Sequence, residues 1–282
     1  MAKPVVITCD STCDLSRELL EQYDIHLIPL TVLIGDDSYL DGVEFTTEDI
    51  YKRYRADGTL PKTSAPSIQQ FLDFFTPFTE AGCEVVHMDI SSELSVSFNN
   101  ARLAAEELGS VYVVDSRMLS SGEALLLLEG AECRDRGMSA PEIAEHLRSL
   151  TGKVDTSFVL DTLEFMWKGG RCSGVAALGA NLLQLKPGLE MKDGKLSVYK
   201  KYRGSMQSVY KQYVKERLSG KEIRPGHIFL TDSGEVPQET LDALKEIIAQ
   251  AVPGAVIHSA KAGCTITAHC GPKCLGVLFI NK

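Results

Sequence analysis

Short apolar runs alternate with helix-like patterns along the first half of the chain. The runs are rich in β-branched residues, which is typical of buried strands. They lie at residues 5–8, 25–34, 84–90 and 111–114. Apolar side chains that recur every three or four positions predict helices. These lie at residues 15–23, 47–54, 68–75, 95–108, 123–136 and 138–150. Because strands and helices alternate, we expect a largely parallel sheet with helices on both faces.

Local signals mark where several of these elements begin and end. Asp14 is placed to cap the first helix. Ser67, with Gln70 three positions later, forms a capping box before the third helix. Gly58 is expected to stop the second helix. Pro29 lies inside the second strand, which indicates an edge strand or a bulge.

The pattern changes at residues 151–153, which we take as the boundary between two domains, residues 1–152 and 153–282. Beyond it, strands are predicted at residues 158–160, 187–191, 196–202, 227–231, 255–259 and 275–280. Helices are predicted at residues 163–168, 205–218 and 237–251. Asp193 followed by Gly194 is typical of a two-residue hairpin turn. The second domain is therefore expected to be α/β with a mixed, partly antiparallel sheet.

Residues 172–185 stand out because they carry no formal charge, and glycine and alanine alternate there with larger apolar residues. A helix that is apolar all round must be covered on every side. Two interpretations stay open, a buried core helix and a helix covered partly by an apolar ligand. Arg171 directly precedes this stretch and follows two glycines, which let the backbone approach another surface closely.

Composition narrows the functional classes. The chain has 282 residues, of which 44% are hydrophobic and 24% charged, as in ordinary globular proteins. The net charge of −9 argues against a general nucleic-acid binder, which uses Lys and Arg to neutralise phosphates. The first residues lack the long apolar stretch of a signal peptide, and no transmembrane segment is apparent. We expect a cytoplasmic protein with at most transient membrane contact.

Cysteine and glycine patterns argue against metals and nucleotide cofactors. Eight cysteines in a chain of this length indicate reduced, mostly buried thiols. Cys9 and Cys13 are four positions apart, as are Cys270 and Cys274, so the usual zinc spacing of two intervening residues is absent. No Gly-x-Gly-x-x-Gly follows a strand, and there is no GKS or GKT phosphate loop. We expect neither metal ligands nor a cofactor.

Hydroxyl side chains follow several predicted strands and precede helices. They are Ser11, Thr12, Thr63, Ser64, Ser91, Ser92, Ser95, Ser116 and Ser120. Hydroxyls and free backbone N–H groups at helix N-termini suit an anion, although plain helix capping is the alternative for each of them. His269 lies in a predicted polar loop at residues 265–272, where it could donate a hydrogen bond to a carboxylate.

Catalysis is not expected, because there is no Gly-x-Ser-x-Gly motif and nothing identifies an activated nucleophile. Triads are set by geometry and not by order along the chain. A serine hydrolase or thioesterase acting on acyl esters therefore stays open as an alternative. A sensor of a non-lipid anion is a third hypothesis.

Six segments, in order, resemble the blocks of the DegV family of bacterial fatty-acid-binding proteins. They are DSTCDL, TSAPS, SSELSVSFNNA, DSRMLSSG, LEFMWKGGR…LLQLKPGLEMKDGKL and HCGPKCLGVLFI. The resemblance implies a carrier that holds a long-chain fatty acid between its two domains. It also implies that the carboxyl group is presented to a separate, ATP-dependent fatty acid kinase, in connection with phospholipid synthesis, and that catalysis belongs to the kinase.

The same resemblance assigns roles to individual positions. Those that would meet the fatty-acid carboxylate are Thr63, Ser64, Ser92, Ser95 and His269. Arg203 matches a position that serves contact with the partner kinase, and Arg171 is expected to hold the two domains together. The chain departs from the family pattern at Val96, where glycine is common, and at Cys270, which lies between His269 and Gly271.

Overall fold

The computed structural model describes residues 3–171 and 185–282. The predicted apolar helix at residues 172–185 lies, except for its last residue, outside the described residues. The elements of the first half are β1 (Val5–Asp10), α1 (Arg17–Gln22), β2 (Ile25–Ile28), β3 (Thr31–Ile34), β4 (Asp37–Leu40), α2 (Thr47–Asp57), β5 (Lys62–Ser64), α3 (Ile68–Glu80), β6 (Glu84–Asp89), α4 (Ser97–Leu108), β7 (Val111–Asp115), α5 (Ser121–Asp135) and α6 (Ala140–Leu150).

The second half continues this order with a larger share of strands. Its elements are β8 (Val154–Val159), α7 (Glu164–Lys168), β9 (Lys186–Lys192), β10 (Lys195–Tyr202), α8 (Met206–Leu218), β11 (His227–Asp232), α9 (Gln238–Ala251), β12 (Val256–Lys261), α10 (Cys264–Cys270) and β13 (Leu275–Ile280).

A parallel sheet with helices on both faces forms the centre of the first half. Its strand order is β2-β1-β6-β7, and all neighbours are parallel. Val85 and Val86 are neighbours on β6, and their side chains lie on opposite faces of the sheet because side chains alternate along a strand. Val85 packs with Phe71 of α3, whereas Val86 belongs to the cluster that contains Leu125 of α5. The predicted fold class of this half is confirmed.

The predicted strand at residues 25–34 is wrong in one respect, because it consists of two strands in different sheets. β2 ends before Pro29, which has no backbone N–H to donate to a sheet. The N–H of Leu30 instead donates to Ser11 Oγ at 3.0 Å. β3 then forms a small antiparallel sheet in the order β4-β3-β5, and β5 carries Thr63.

Asp14 does not cap the first helix, contrary to the prediction. α1 begins at Arg17, and the side chain of Ser16 accepts the capping hydrogen bond from Leu19 N. Asp14 has a positive φ of 56° and is buried, and its carboxyl group accepts a hydrogen bond from Gly263 N in the other half of the chain. Gly58, by contrast, stops α2, and Ser67 with Gln70 caps α3, as predicted.

The second half is built on a six-stranded mixed sheet in the order β10-β9-β8-β13-β11-β12. β11 and β12 are parallel, and the other neighbours are antiparallel. β9 and β10 form the predicted hairpin, in which Asp193 and Gly194 have φ values of 51° and 80°. The predicted mixed sheet is confirmed.

The two halves share one hydrophobic core. α5 packs on β1 of the first half and on β8, β11 and β13 of the second. One cluster of buried side chains includes Ile7, Leu125, Phe158 and Leu278. Gly122 permits this close packing, since a Cβ there would lie 2.1 Å from Thr156 Oγ1. Among the described helices, none has the length and apolar character needed to cross a bilayer.

Candidate functional site

A cavity lies between the two halves of the chain. Its apolar walls include Leu30, Ile90 and Leu119 from the first half and Phe158, Leu196 and Leu278 from the second. The volume accessible to the centre of a water molecule is about 90 Å³. Because about 10–15 Å³ measured in this way holds one water, the cavity has room for a larger ligand. Walls of this composition suit an apolar ligand.

Thr63 and His269 meet at a polar part of the cavity wall. Thr63 lies on β5 opposite Val32, and His269 lies on α10. Thr63 Oγ1 and His269 Nε2 are 3.0 Å apart, a hydrogen bond between residues of the two halves. The polar loop predicted around His269 is therefore wrong, because residues 264–270 are helical.

The imidazole of His269 is held in a narrow slot. It packs on Gly169, where a Cβ would lie 2.4 Å from Nδ1. Burial, and then the nearby positive charge of Arg171, lower the pKa of His269 to about 4, so the ring is neutral near pH 7. In the tautomer that carries its proton on Nε2, His269 donates to Thr63, and the Thr63 hydroxyl can donate to a ligand.

The structure brings Ser95 to the cavity but not Ser64 or Ser92. Ser95 lines the wall. Ser64 is exposed, because it follows Thr63 on β5 and neighbouring strand residues face opposite sides. Ser92 is also exposed, and its hydroxyl donates to Asp115 Oδ2 at 2.6 Å. Three of the five predicted carboxylate-binding residues thus line one cavity, and the role of all five stays a prediction.

The two arginines singled out from the sequence differ in position. Arg171 lines the cavity from the second half and is otherwise exposed, with its guanidinium 3.2 Å from the Gly169 carbonyl oxygen. Arg203 is exposed directly after β10 and does not line the cavity. Their predicted roles in domain contact and kinase contact stay predictions.

Two buried carboxylates that the sequence analysis did not assign to the site support the helix that carries His269. Asp41 accepts hydrogen bonds from the backbone N–H groups of Cys264 at 2.8 Å and Thr265 at 3.2 Å. Asp14 accepts from Gly263 N at 2.8 Å. These N–H groups at the start of α10 have no acceptor within the helix itself, so the two side chains cap it.

Because Asp14 and Asp41 belong to the first half and α10 to the second, the cap joins the halves beside the cavity. Gly263 fits there because it lacks a side chain, since a Cβ would lie 3.2 Å from Asp14 Oδ1. Asp14 also accepts a hydrogen bond from the hydroxyl of Ser120, which lines the cavity. The sequence predicts Asp14 only as the cap of the first helix, and no local signal identifies Asp41.

Stability is expected to fall as pH rises from about 6.5 to about 8.5, by roughly 2 kcal/mol. Burial raises the pKa of Asp14 to about 8, and burial with the nearby Asp89 carboxylate raises that of Asp10 to about 7. Both titrate near pH 3.9 when unfolded, so over this range the folded state binds more protons and loses stability as pH rises. The lowered pKa values of His258 and His269, about 4, act with the opposite sign up to about pH 7.5 and offset a small part of this loss.

Urea unfolding at several pH values would measure this slope, and the Asp14→Asn variant should reduce it because it removes one of the two titrating groups. A wild-type stability that increases between these pH values would contradict the prediction.

The group of potential metal ligands identified among the described residues lies elsewhere. Glu129, Cys133 and His146 place one ligand atom each within 4.8 Å of one another. Glu129 is already paired with Arg224 and bonded to His146, and Cys133 accepts from Arg136 at 2.9 Å.

The seven described cysteines form no disulfide, and six of them are buried.

A hydrolytic triad at His269 is not assembled from the described residues. Its Nε2 bonds Thr63 and no serine, and its buried Nδ1 has no hydrogen-bond partner in this part of the chain. A triad histidine needs a carboxylate on this second nitrogen and a serine on the first. The geometry around His269 is suited to binding a polar group.

Comparisons with known proteins agree along the whole chain. The family model of the DegV family, described as uncharacterised, matches residues 4–282. A DegV domain-containing protein from Deinococcus radiodurans is 31% identical over 277 residues, 97% of each chain.

Two solved structures are similar in fold and sequence. A DegV family protein from Thermus thermophilus, described by its fatty acid binding, has 28% identity and a TM-score of 0.89, covering 99% of this chain and 100% of its own. A stearic acid-binding protein from Eubacterium ventriosum has 28% identity and a TM-score of 0.84, covering 100% of this chain and 99% of its own.

Proposed function

Because the chain belongs to the DegV family, we propose that it binds a long-chain fatty acid in the cavity between its two halves. The observation that carries the proposal is an apolar cavity whose wall includes the bonded pair Thr63 and His269. The acyl chain would lie along the apolar walls, and the carboxyl group would accept hydrogen bonds from Thr63 and Ser95. Similar proteins from Thermus thermophilus and Eubacterium ventriosum are described as binding fatty acids.

Free energies favour a carrier held mainly by its acyl chain. About fourteen buried methylenes at ~0.8 kcal/mol each supply on the order of 11 kcal/mol of gross transfer free energy. A hydrogen bond to the head group adds only about 1–3 kcal/mol, the upper part of the range applying to a charged carboxylate. The head-group contacts therefore orient the carboxyl group, while the apolar walls retain the ligand.

We further propose that the carrier presents the carboxyl group to a separate kinase, which phosphorylates it with ATP. The chain itself would not turn over substrate. The kinase would phosphorylate the bound fatty acid in the cytoplasm, where ATP is supplied. Arg203 is the proposed contact with the kinase, because it is exposed next to Lys200 and Lys201 in an otherwise acidic protein. A positive patch favours encounter with an acidic surface.

The Arg203→Ala variant is expected to keep its lipid and to lose kinase-dependent acyl phosphate formation by at least about tenfold, as for a lost interface ion pair. Wild-type and variant protein would be extracted with organic solvent and analysed by mass spectrometry. Each would then be supplied with fatty acid, ATP and the kinase, and acyl phosphate would be measured.

The outcomes separate the parts of the proposal. Loss of lipid together with acyl phosphate would mean that Arg203 supports the ligand site. Wild-type protein that yields no fatty acid and takes up none would contradict the binding function. Turnover of p-nitrophenyl hexadecanoate by the purified chain, abolished in Ser92→Ala, would instead support the hydrolase.

A further inference from the structure

We propose that Thr265 is a further hydrogen-bond donor to the head group of the bound fatty acid, one helical turn before His269. This inference rests on the proposed function and adds a contact to the same site. Three features carry it, namely a hydroxyl that bonds to none of the described residues, its place in the first turn of α10, and its spacing from His269.

The hydroxyl of Thr265 is buried at the cavity, and no described residue pairs with it. Thr265 lines the cavity and is only 4% exposed. Its Oγ1 has no hydrogen-bond partner among the described residues. Buried hydroxyls in proteins are normally bonded, so an unpaired one next to a cavity indicates a partner that enters with the ligand.

Other hydroxyls along the same wall have partners within the chain. Ser120 donates to Asp14, and Ser233 donates to the carbonyl oxygen of Gly271 at 2.6 Å. Thr231 and Ser121 share a hydrogen bond of 2.7 Å. These side chains stabilise the fold, which sets Thr265 apart from them.

The position of Thr265 in α10 explains why its hydroxyl finds no partner in the described part of the chain. A helical threonine often donates to the carbonyl group four positions earlier. α10 begins at Cys264, so the position four residues before Thr265 belongs to β12 and not to the helix. The backbone N–H of Thr265 is held by Asp41 at 3.2 Å. The residue is therefore fixed in place while its hydroxyl stays available.

The spacing from His269 suits a carboxylate. Residues four positions apart lie on the same helix face, with Cβ atoms about 5–6 Å apart. A carboxylate placed between them can accept one hydrogen bond on each oxygen, from Thr265 and from the Thr63 hydroxyl that His269 orients. The ligand class is thus one with two acceptor oxygens on one carbon at the end of an apolar chain.

The Thr265→Val variant should weaken binding of hexadecanoate about tenfold, the value of one hydrogen bond to a charged group. Without ligand, its midpoint of urea unfolding should equal or exceed that of the wild type, because valine keeps the shape and removes a buried unpaired hydroxyl. Equilibrium dialysis of delipidated protein with labelled hexadecanoate would measure affinity.

Two matched variants complete the experiment. Thr265→Ser keeps the hydroxyl and should bind within about twofold of the wild type. Thr267→Val removes a hydroxyl from the same helix that already donates to Ala262 O at 3.3 Å and does not line the cavity. This variant should lose stability and keep its affinity.

Two results would overturn the inference alone. The first is an affinity of Thr265→Val for hexadecanoate within twofold of the wild-type value. The second is a clear fall in the urea-unfolding midpoint of the ligand-free variant, which would reveal a hydrogen-bond partner of the Thr265 hydroxyl within the chain. A wild-type protein that binds no hexadecanoate would overturn the proposed function and this inference with it.

Discussion

Replacing Leu94 with aspartate is expected to weaken hexadecanoate binding at least about 100-fold, because burying an unpaired carboxylate costs several kcal/mol. Leu94 is half-buried, lines the cavity and lies in the loop between β6 and α4. When the acyl chain binds, a carboxylate at this position must either lose its hydration shell or retain water molecules inside the cavity. Both outcomes oppose the burial of methylenes that drives binding.

Val96→Asp is the matched control for this variant. Val96 lies in the same loop, is 63% exposed and does not line the cavity. The added charge is therefore the same, but it remains in water. Equilibrium dialysis should show wild-type affinity for Val96→Asp, and circular dichroism should show the same fold for both variants. Leu94→Asp binding within fivefold of the wild type would place the acyl chain elsewhere.

The Leu94 variant is expected to have a larger effect than variants of the polar residues, because the apolar walls contribute more binding free energy than the head-group contacts. Removing one hydroxyl, such as that of Thr265 or Thr63, forfeits one hydrogen bond of about 1–3 kcal/mol. Making the wall polar affects many methylenes at once, at ~0.8 kcal/mol each. Wall variants should therefore weaken lipid binding more than variants that remove a single polar contact, and the latter should also change how the carboxyl group is oriented.

Much of the fold could be predicted because its signals are local. The capping box of Ser67 and Gln70 and the turn of Asp193 and Gly194 act within a few residues, and the structure confirms both. Alternating strands and helices likewise restrict the sheet to a parallel one. The resemblance to the DegV family is also confirmed, since the family model spans residues 4–282.

The parts that could not be predicted depend on contacts distant in sequence. Asp41 accepts a hydrogen bond from Cys264 N, 223 positions later, and so caps α10, where the sequence analysis predicted a polar loop. Ser92 has a hydroxyl that could bind a carboxylate ligand, but this hydroxyl donates instead to Asp115 at the end of β7. Ser64 faces away because residues 62–64 form a strand, which their sequence does not signal.

The Asp41→Asn variant is expected to lose about 3 kcal/mol of unfolding free energy, since hydrogen bonds to a charged group contribute about 1.5–3 kcal/mol each. The carboxylate is buried and accepts from Cys264 N, Thr265 N and the Ser11 hydroxyl. An asparagine offers one acceptor oxygen and places an NH₂ group against donors. At least one backbone N–H at the start of α10 is then left unpaired.

Asp37→Asn is the control for this variant, because Asp37 is exposed on β4 in the same small sheet. Its unfolding free energy should change by less than about 0.5 kcal/mol. Urea unfolding of both variants would measure the difference. A loss below 1 kcal/mol for Asp41→Asn would mean that α10 keeps its position without the carboxylate cap. The placement of His269 would then depend on its hydrogen bond with Thr63 and on the packing of α10 against α7, α2 and β3, and Asp41 would have less influence on the site than its hydrogen bonds indicate.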